Sequence, residues 1–356
     1  MEIDIASYPG DKKKPVVILI HGLGMDRKIW EEPFSARILG GSLPLSILLK
    51  RPPLPKDCGY SEEKPFPLPP GFITGQRPRL LRTIFHDLKS KGYPVITWTQ
   101  KRPVGPLEAA VDELSGIVPF AKRLSENGIV LLGHSRGGLI ARKYLMRGDS
   151  SIKGLITIST PHRGSSIARF SGYISPLVHA LSPFFLKKTS SKSKLKTTVK
   201  RVIDFLSSAG VMELLPGSDL FQSLHDHEPE GVFCMTIGGT NPSLFGLYRL
   251  EWKTVAEGTR RRWIISPEKI FAVPDILEKI MPVTMIPEEF RKGLGDGLVT
   301  AESSRISWCC NQQDFPCSHA QILLDRKARK TILAAISGIS RLQKKRAGVV
   351  LPFDQI

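Results

Sequence analysis

Ser135 stands at the centre of GHSRGG, Gly133 to Gly138, between the apolar run Ile129, Val130, Leu131, Leu132 and the segment Leu139 to Tyr144. That order reads as strand, tight turn and helix with the serine at the apex. Such a turn holds its serine in a strained backbone conformation. Only small neighbours, here Gly133 and Gly137, let strand and helix approach closely enough to expose the hydroxyl. The N–H of Arg136 then lies at the start of a helix, where a negative oxygen is stabilised. A G-x-S-x-G match alone arises by chance about once in four chains of this length and composition, so the flanking strand and helix carry the inference.

A nucleophilic serine needs a base, a group that orients the base, and donors for the oxyanion. Upstream, the buried-strand run Val16 to Ile20 ends in His21, Gly22, Leu23, Gly24, where glycines let the backbone turn an N–H toward the serine. Leu23 is the expected second oxyanion donor beside Arg136. Downstream, Gly295 to Val299 place Asp296 in a glycine-flanked turn, and Ser318, His319, Ala320 follow a strand predicted at Arg305 to Cys310. The chain order Ser, Asp, His is the one the strand–turn–helix serine hydrolases use. His162 competes with His319 as base, and Glu302 and Asp275 are the alternative acids. Asp296 also makes an ordinary turn residue.

Taken in order, HGLG at His21, GHSRGG around Ser135, STPHRGS from Ser159 to Ser165, ELLPGSDLFQSL from Glu213 to Leu224 and GDGLVT around Asp296 resemble the α/β-hydrolases of the bacterial triacylglycerol lipase and lipase-like esterase group. The resemblance implies an α/β-hydrolase fold, a mostly parallel central sheet flanked by helices with a helical cap or lid. It implies a catalytic triad of Ser135, Asp296 and His319, an oxyanion hole from Leu23 and Arg136, and no cofactor. The implied activity is carboxylic-ester hydrolysis on a lipid-like acyl substrate. An acyltransferase or thioesterase with the same triad is the alternative enzyme, and a catalytically idle membrane-docking scaffold the alternative outside enzymes. Many calcium-dependent members carry an acidic residue two positions after the base; Gln321 stands there, so no metal is expected.

The predicted core comprises residues 1–165 and 231–356, with a cap or lid insertion at 166–230 and a proline-rich insertion at 38–75. Strands are predicted at Val16 to Ile20, Pro94 to Trp98, Ile129 to Leu132, Gly154 to Ser159, Val232 to Ile237 and Arg305 to Cys310, with an earlier one near Ile3. Helices are predicted at Leu80 to Gly92, Leu107 to Asn127, Gly138 to Arg147 and Lys330 to Leu342. In the last, Ile332, Leu333, Ile336, Ile339 and Leu342 recur at helical spacing. Ile167 to Leu186 is apolar and aromatic and reads either as an amphipathic, membrane-facing cap or as a cap helix buried over an acyl pocket. The stretch Asn241 to Met285 is expected at the pocket rim.

The net charge is +18, concentrated at Lys187 to Arg201, Arg260 to Arg262, Arg326 to Lys330 and Lys344 to Arg346. Such clusters suggest an anionic partner. No interleaved aromatic platform accompanies them, so nucleic acid is not expected. An anionic membrane surface fits a lipase better, and a solvated basic face with no partner is the plain alternative. The charged start, Met1 to Lys14, lacks the apolar core of a signal peptide, which predicts a cytoplasmic protein with peripheral membrane contact. Five cysteines, Cys58, Cys234, Cys309, Cys310 and Cys317, fit a reducing compartment better than a disulfide framework. Cys309, Cys310, Cys317 and His319 mimic a zinc set but lack the usual C-x-x-C pair.

Overall fold

The computed structural model describes residues 3–33, 35–38, 43–44, 81–166, 205, 208–224, 226–243, 246–257, 260–272 and 282–347. Strands β1 (Asp4–Tyr8), β2 (Val16–Ile20), β5 (Val95–Thr99), β6 (Ile129–His134), β7 (Ile152–Ile158), β8 (Phe233–Gly239) and β11 (Asn311–Phe315) form one sheet in the order β1-β5-β2-β6-β7-β8-β11. Among the described residues two further pairings lie outside it, a short one of β3 (Arg37–Ile38) with β4 (Leu43–Pro44) and a long one of β9 (Gly246–Glu257) with β10 (Arg260–Ala272). Only β1 runs antiparallel to its neighbour in the large sheet; the other six strands are parallel.

Parallel strands are buried on both faces, which is why β2 reads VVILI and β6 opens IVLL with no polar alternation. Val17 and Leu19 face one cluster, with Ile29 and Trp30 of α1 (Lys28–Glu31), Ile84, Phe85 and Leu88 of α2 (Ile84–Ser90), and Ile332, Ile336 and Ile339 of α7 (Arg326–Ala347). Val16, Ile18 and Ile20 face the other, with Val111, Leu114 and Val118 of α3 (Leu107–Lys122) and Leu139 and Ile140 of α4 (Arg136–Leu145). Each face of the sheet thus takes its own set of helices among the described residues.

Helix α2 starts at Ile84 and α3 ends at Lys122, inside their predicted bounds, and two further elements are placed differently. Residues 305–310 form turns rather than a strand; Ile306 and Cys309 are buried there as core-filling loop residues, and the edge strand follows at Asn311–Phe315 with mostly exposed polar side chains. Helix α7 begins four residues before its predicted start because Asp325 Oδ1 accepts the Ala328 N–H at 2.8 Å, a side-chain cap. The stretch 241–285 contains the long β9–β10 hairpin. The insertion at 38–75 lies outside the described residues apart from 38, 43 and 44. Of the segment 166–230, the structure describes 166, 205, 208–224 and 226–230, including α5 (Ala209–Met212) and α6 (Asp219–Gln222).

The C-terminal ends of the parallel strands share one edge of the sheet, where crevices form in open α/β structures. β2 leads to His21, β5 to Gln100, β6 to Ser135 and β7 to Ser159; His319 follows β11. The crossing of α4 over β6 there has no spare room. A Cβ on Gly133 would strike the Gly137 and Gly138 backbone, and one on Gly137 would strike the Ile20 carbonyl and stand 2.8 Å from the His21 carbonyl. Gly137→Ala should therefore lower the free energy of unfolding by about 1–3 kcal/mol, as overpacking does. Urea denaturation checks this; an unchanged midpoint would contradict the close approach.

Candidate active site

Ser135 follows β6 directly and caps α4 with φ 54° and ψ −130°, a region that L-residues with a side chain rarely occupy. Its N–H donates to the Ile158 carbonyl at 2.8 Å and its own carbonyl accepts the Gly138 N–H at 3.0 Å, so both backbone groups are satisfied despite the strain. The residue is buried, at 9% exposure. Its Cβ lies against Gly22, where an added Cβ would stand 2.9 Å away, which brings the HGLG loop beside the nucleophile position.

Asp296 is fully buried in the turn at the Gly295–Val299 segment. Its Oδ1 accepts the N–H groups of Leu298 at 3.0 Å and Val299 at 2.8 Å, while Oδ2 lies 2.9 Å from His319 Nδ1. A carboxylate only accepts, so Nδ1 carries the proton and Nε2 is left free to take one. The His319 N–H in turn donates to the Asp296 carbonyl at 3.0 Å. The pair is therefore bound through side chain and main chain together. Among the described residues no hydrogen bond joins the Ser135 hydroxyl to the His319 ring; in free enzymes such bonds are commonly long and tighten with substrate bound.

The residue before the serine ties the His319 loop to the elbow. His134 Nε2 donates to the His319 carbonyl at 2.9 Å, and the two rings lie 4.8 Å apart, centre to centre. Trp30 stands perpendicular to the His134 ring, with the ring centres 6.5 Å apart. Sequence reading gives His134 no more than a part in shaping the pocket; nothing in the order GHS signals a bond to a histidine 185 residues away.

The two expected oxyanion donors stand in the turn after β2 and at the first position of α4. Among the described residues neither the Leu23 N–H nor the Arg136 N–H is used in a hydrogen bond, whereas Gly24, next in the turn, donates to the Pro103 carbonyl at 2.8 Å. Helix starts leave their first N–H groups unpaired, so a donor at Arg136 costs the fold nothing extra.

The alternatives are placed elsewhere. His162 Nε2 lies 3.0 Å from Thr157 Oγ1 and its N–H donates to the Ser303 carbonyl at 2.8 Å, and among the described residues no carboxylate is hydrogen-bonded to the ring. Glu302 is exposed and paired with Arg163 at 2.7 Å. Asp275 and the tract Lys187 to Arg201 lie outside the described residues. Cys309 is a free buried thiol beside Cys234, Cys317 is also free and buried with its thiol pushed up to about 12 by desolvation, and Cys310 is exposed. No helix among the described residues is long and apolar enough to cross a membrane.

Residues 107–228 match the family described as PGAP1-like alpha/beta domain. Among solved structures, the mature form of the Bacillus licheniformis lipase BlEst2 superposes with a TM-score of 0.50 at 12% identity, over 94% of this chain and 97% of that one. The propeptide form of the same lipase gives 0.52 at 12% identity, over 94% of this chain and 53% of that one. No curated protein matches the sequence. With its six parallel strands, flanking helices and a serine elbow between strand and helix, the chain has the α/β-hydrolase fold.

Three histidines near this edge are buried as neutral rings. Desolvation holds His134 and His162 well below 6.5 and His21 at about 4, the last also pushed down by the Arg136 charge. In the unfolded chain each takes up a proton near pH 6.5, so below that pH the unfolded state binds more protons than the folded one. Stability should be constant above about pH 7 and fall as pH drops from 6.5 toward 4, with His21 alone accounting for roughly 3 kcal/mol at the lower end. Urea melts at stepped pH test this; a midpoint that rises on acidification would contradict it.

Proposed function

We propose that the protein is a serine carboxylic-ester hydrolase acting on lipid-like acyl esters. The observation that carries the reading is the 2.9 Å contact between buried Asp296 and His319, set at the same sheet edge as a strained Ser135, where the Leu23 and Arg136 N–H groups have no partner among the described residues. An imidazole oriented in this way has its second nitrogen available as a general base. Serine in the elbow supplies the nucleophile that base would activate.

In this mechanism Ser135 Oγ attacks the acyl carbonyl while His319 Nε2 takes its proton. The Asp296 carboxylate fixes the Nδ1–H tautomer and stabilises the imidazolium. The Leu23 and Arg136 N–H groups hold the tetrahedral oxyanion, and His319 then returns the proton to the departing alkoxide. Water attacks the acyl-enzyme by the same route in reverse. The likeness to a bacterial lipase supports an acyl-ester substrate, and the positive charge at Lys187 to Arg201 supports contact with an anionic membrane surface. No observation favours a second acceptor over water, so hydrolysis stands ahead of acyl transfer.

Hydrolysis of p-nitrophenyl esters from two to sixteen carbons is the test. Ser135→Ala and His319→Ala should each reduce kcat by several orders of magnitude, and Asp296→Asn by about ten-thousandfold, with folding retained. A His319→Ala enzyme with near-normal turnover would overturn the assignment of the base.

A further inference from the structure

The Arg136 side chain takes no part in the proton relay, yet it is among the largest side chains buried to zero exposure. Burial brings its pKa down to about 10, so it stays a cation at neutral pH. Its guanidinium donates to Gln100 Oε1 at 3.1 Å and to the Gly105 carbonyl at 2.6 Å, and stands 3.9 Å from Glu213 Oε2. A cation taken out of water is costly unless it is paired and hydrogen-bonded. Its position therefore calls for an explanation beyond packing.

The two acceptors and the paired carboxylate belong to two segments, the 100–105 loop and the 208–214 segment, and the loop bonds directly to the turn that bears Leu23. Gln100 donates from Nε2 to the His21 carbonyl at 3.1 Å and from its N–H to His21 Nε2 at 3.1 Å, fixing the near end of the turn. Two residues before Gly105, the Pro103 carbonyl accepts the Gly24 N–H at 2.8 Å and fixes the far end. Glu213 Oε2 also accepts the Leu107 N–H at 2.8 Å, and α5 just before it donates from the Gly210 N–H to the Val104 carbonyl at 3.0 Å. The turn His21 to Gly24 is thus held on both sides by groups that converge on one guanidinium.

We propose that the Arg136 guanidinium is the positioning residue of the oxyanion hole, an inference that rests on the reading of Ser135 as the nucleophile. Its main chain supplies one donor. Its side chain clamps the 100–105 loop and the 208–214 segment, and through them keeps the Leu23 N–H aimed at the same point. A planar fork can hold two separated acceptors in fixed directions; a lysine ammonium cannot reproduce that geometry.

The experiment uses the full chain, a short p-nitrophenyl ester and an alkyl trifluoromethyl ketone, which a serine hydrolase converts to a tetrahedral oxyanion. Arg136→Met should lower kcat by about a hundredfold or more, as loss of an oxyanion donor does, and should weaken the ketone by the same factor as kcat/KM. KM should change by less than about threefold, because the trigonal ester does not need the hole. Arg136→Lys should recover little. Should Arg136→Met fail to fold, Gln100→Met removes one arm of the clamp and should lose kcat and ketone affinity in parallel by about tenfold. Undiminished kcat in the folded variant, or a fall in kcat without a parallel loss of ketone affinity, would overturn the proposal alone. Wild-type protein whose hydrolysis does not depend on Ser135 would overturn the functional reading and this inference with it.

Discussion

The backbone at Ser135 is the constraint on which the rest of the edge depends. A φ of 54° costs a side-chain-bearing residue about 1–3 kcal/mol, and it persists only where the surroundings leave no alternative. Here β7 grips the Ser135 N–H through Ile158, and β8 grips the Ser159 N–H through Ile237 at 2.7 Å, so each strand end is hooked onto its neighbour. Gly133 and Gly137 let α4 descend onto β6 and β2. Relaxing the turn would require the parallel sheet itself to slip, and the buried apolar residues on both faces oppose that.

Charge is arranged around this point with unusual economy. The rings of His21, His134 and His162 are neutral, and the Asp296–His319 pair is kept apart from water at 1% and 2% side-chain exposure. Arg136, fully buried at the elbow, holds its guanidinium on Gln100, Gly105 and Glu213. The neutral His134 ring donates to the His319 carbonyl and so fixes that loop without adding a charge beside it.

Much of the fold is written in local pattern. Val16 to Ile20 is read to the residue because a strand buried on both faces leaves a continuous apolar run, and the apolar periodicity of Ile332 to Ile339 gives the last helix. Asn311–Phe315 is not legible: NQQDF has no apolar period because an edge strand on this sheet turns polar side chains to solvent. The apolar residues just before it, Ile306 and Cys309, fill the core from turns. At the site, the glycine-marked turns bearing Ser135 and Asp296 are visible as sequence. The roles of Gln100 and Glu213 are not, since each acts through a partner distant in the chain and neither lies in a turn or spacing that signals it.

The central claim is that Ser135 is an activated nucleophile. Incubation with a fluorophosphonate followed by peptide mass mapping tests it most directly. The account predicts stoichiometric phosphonylation at Ser135, abolished by Ser135→Ala and strongly slowed by His319→Ala. Absence of any adduct, or an adduct carried instead by Ser159 or Ser318, would contradict it.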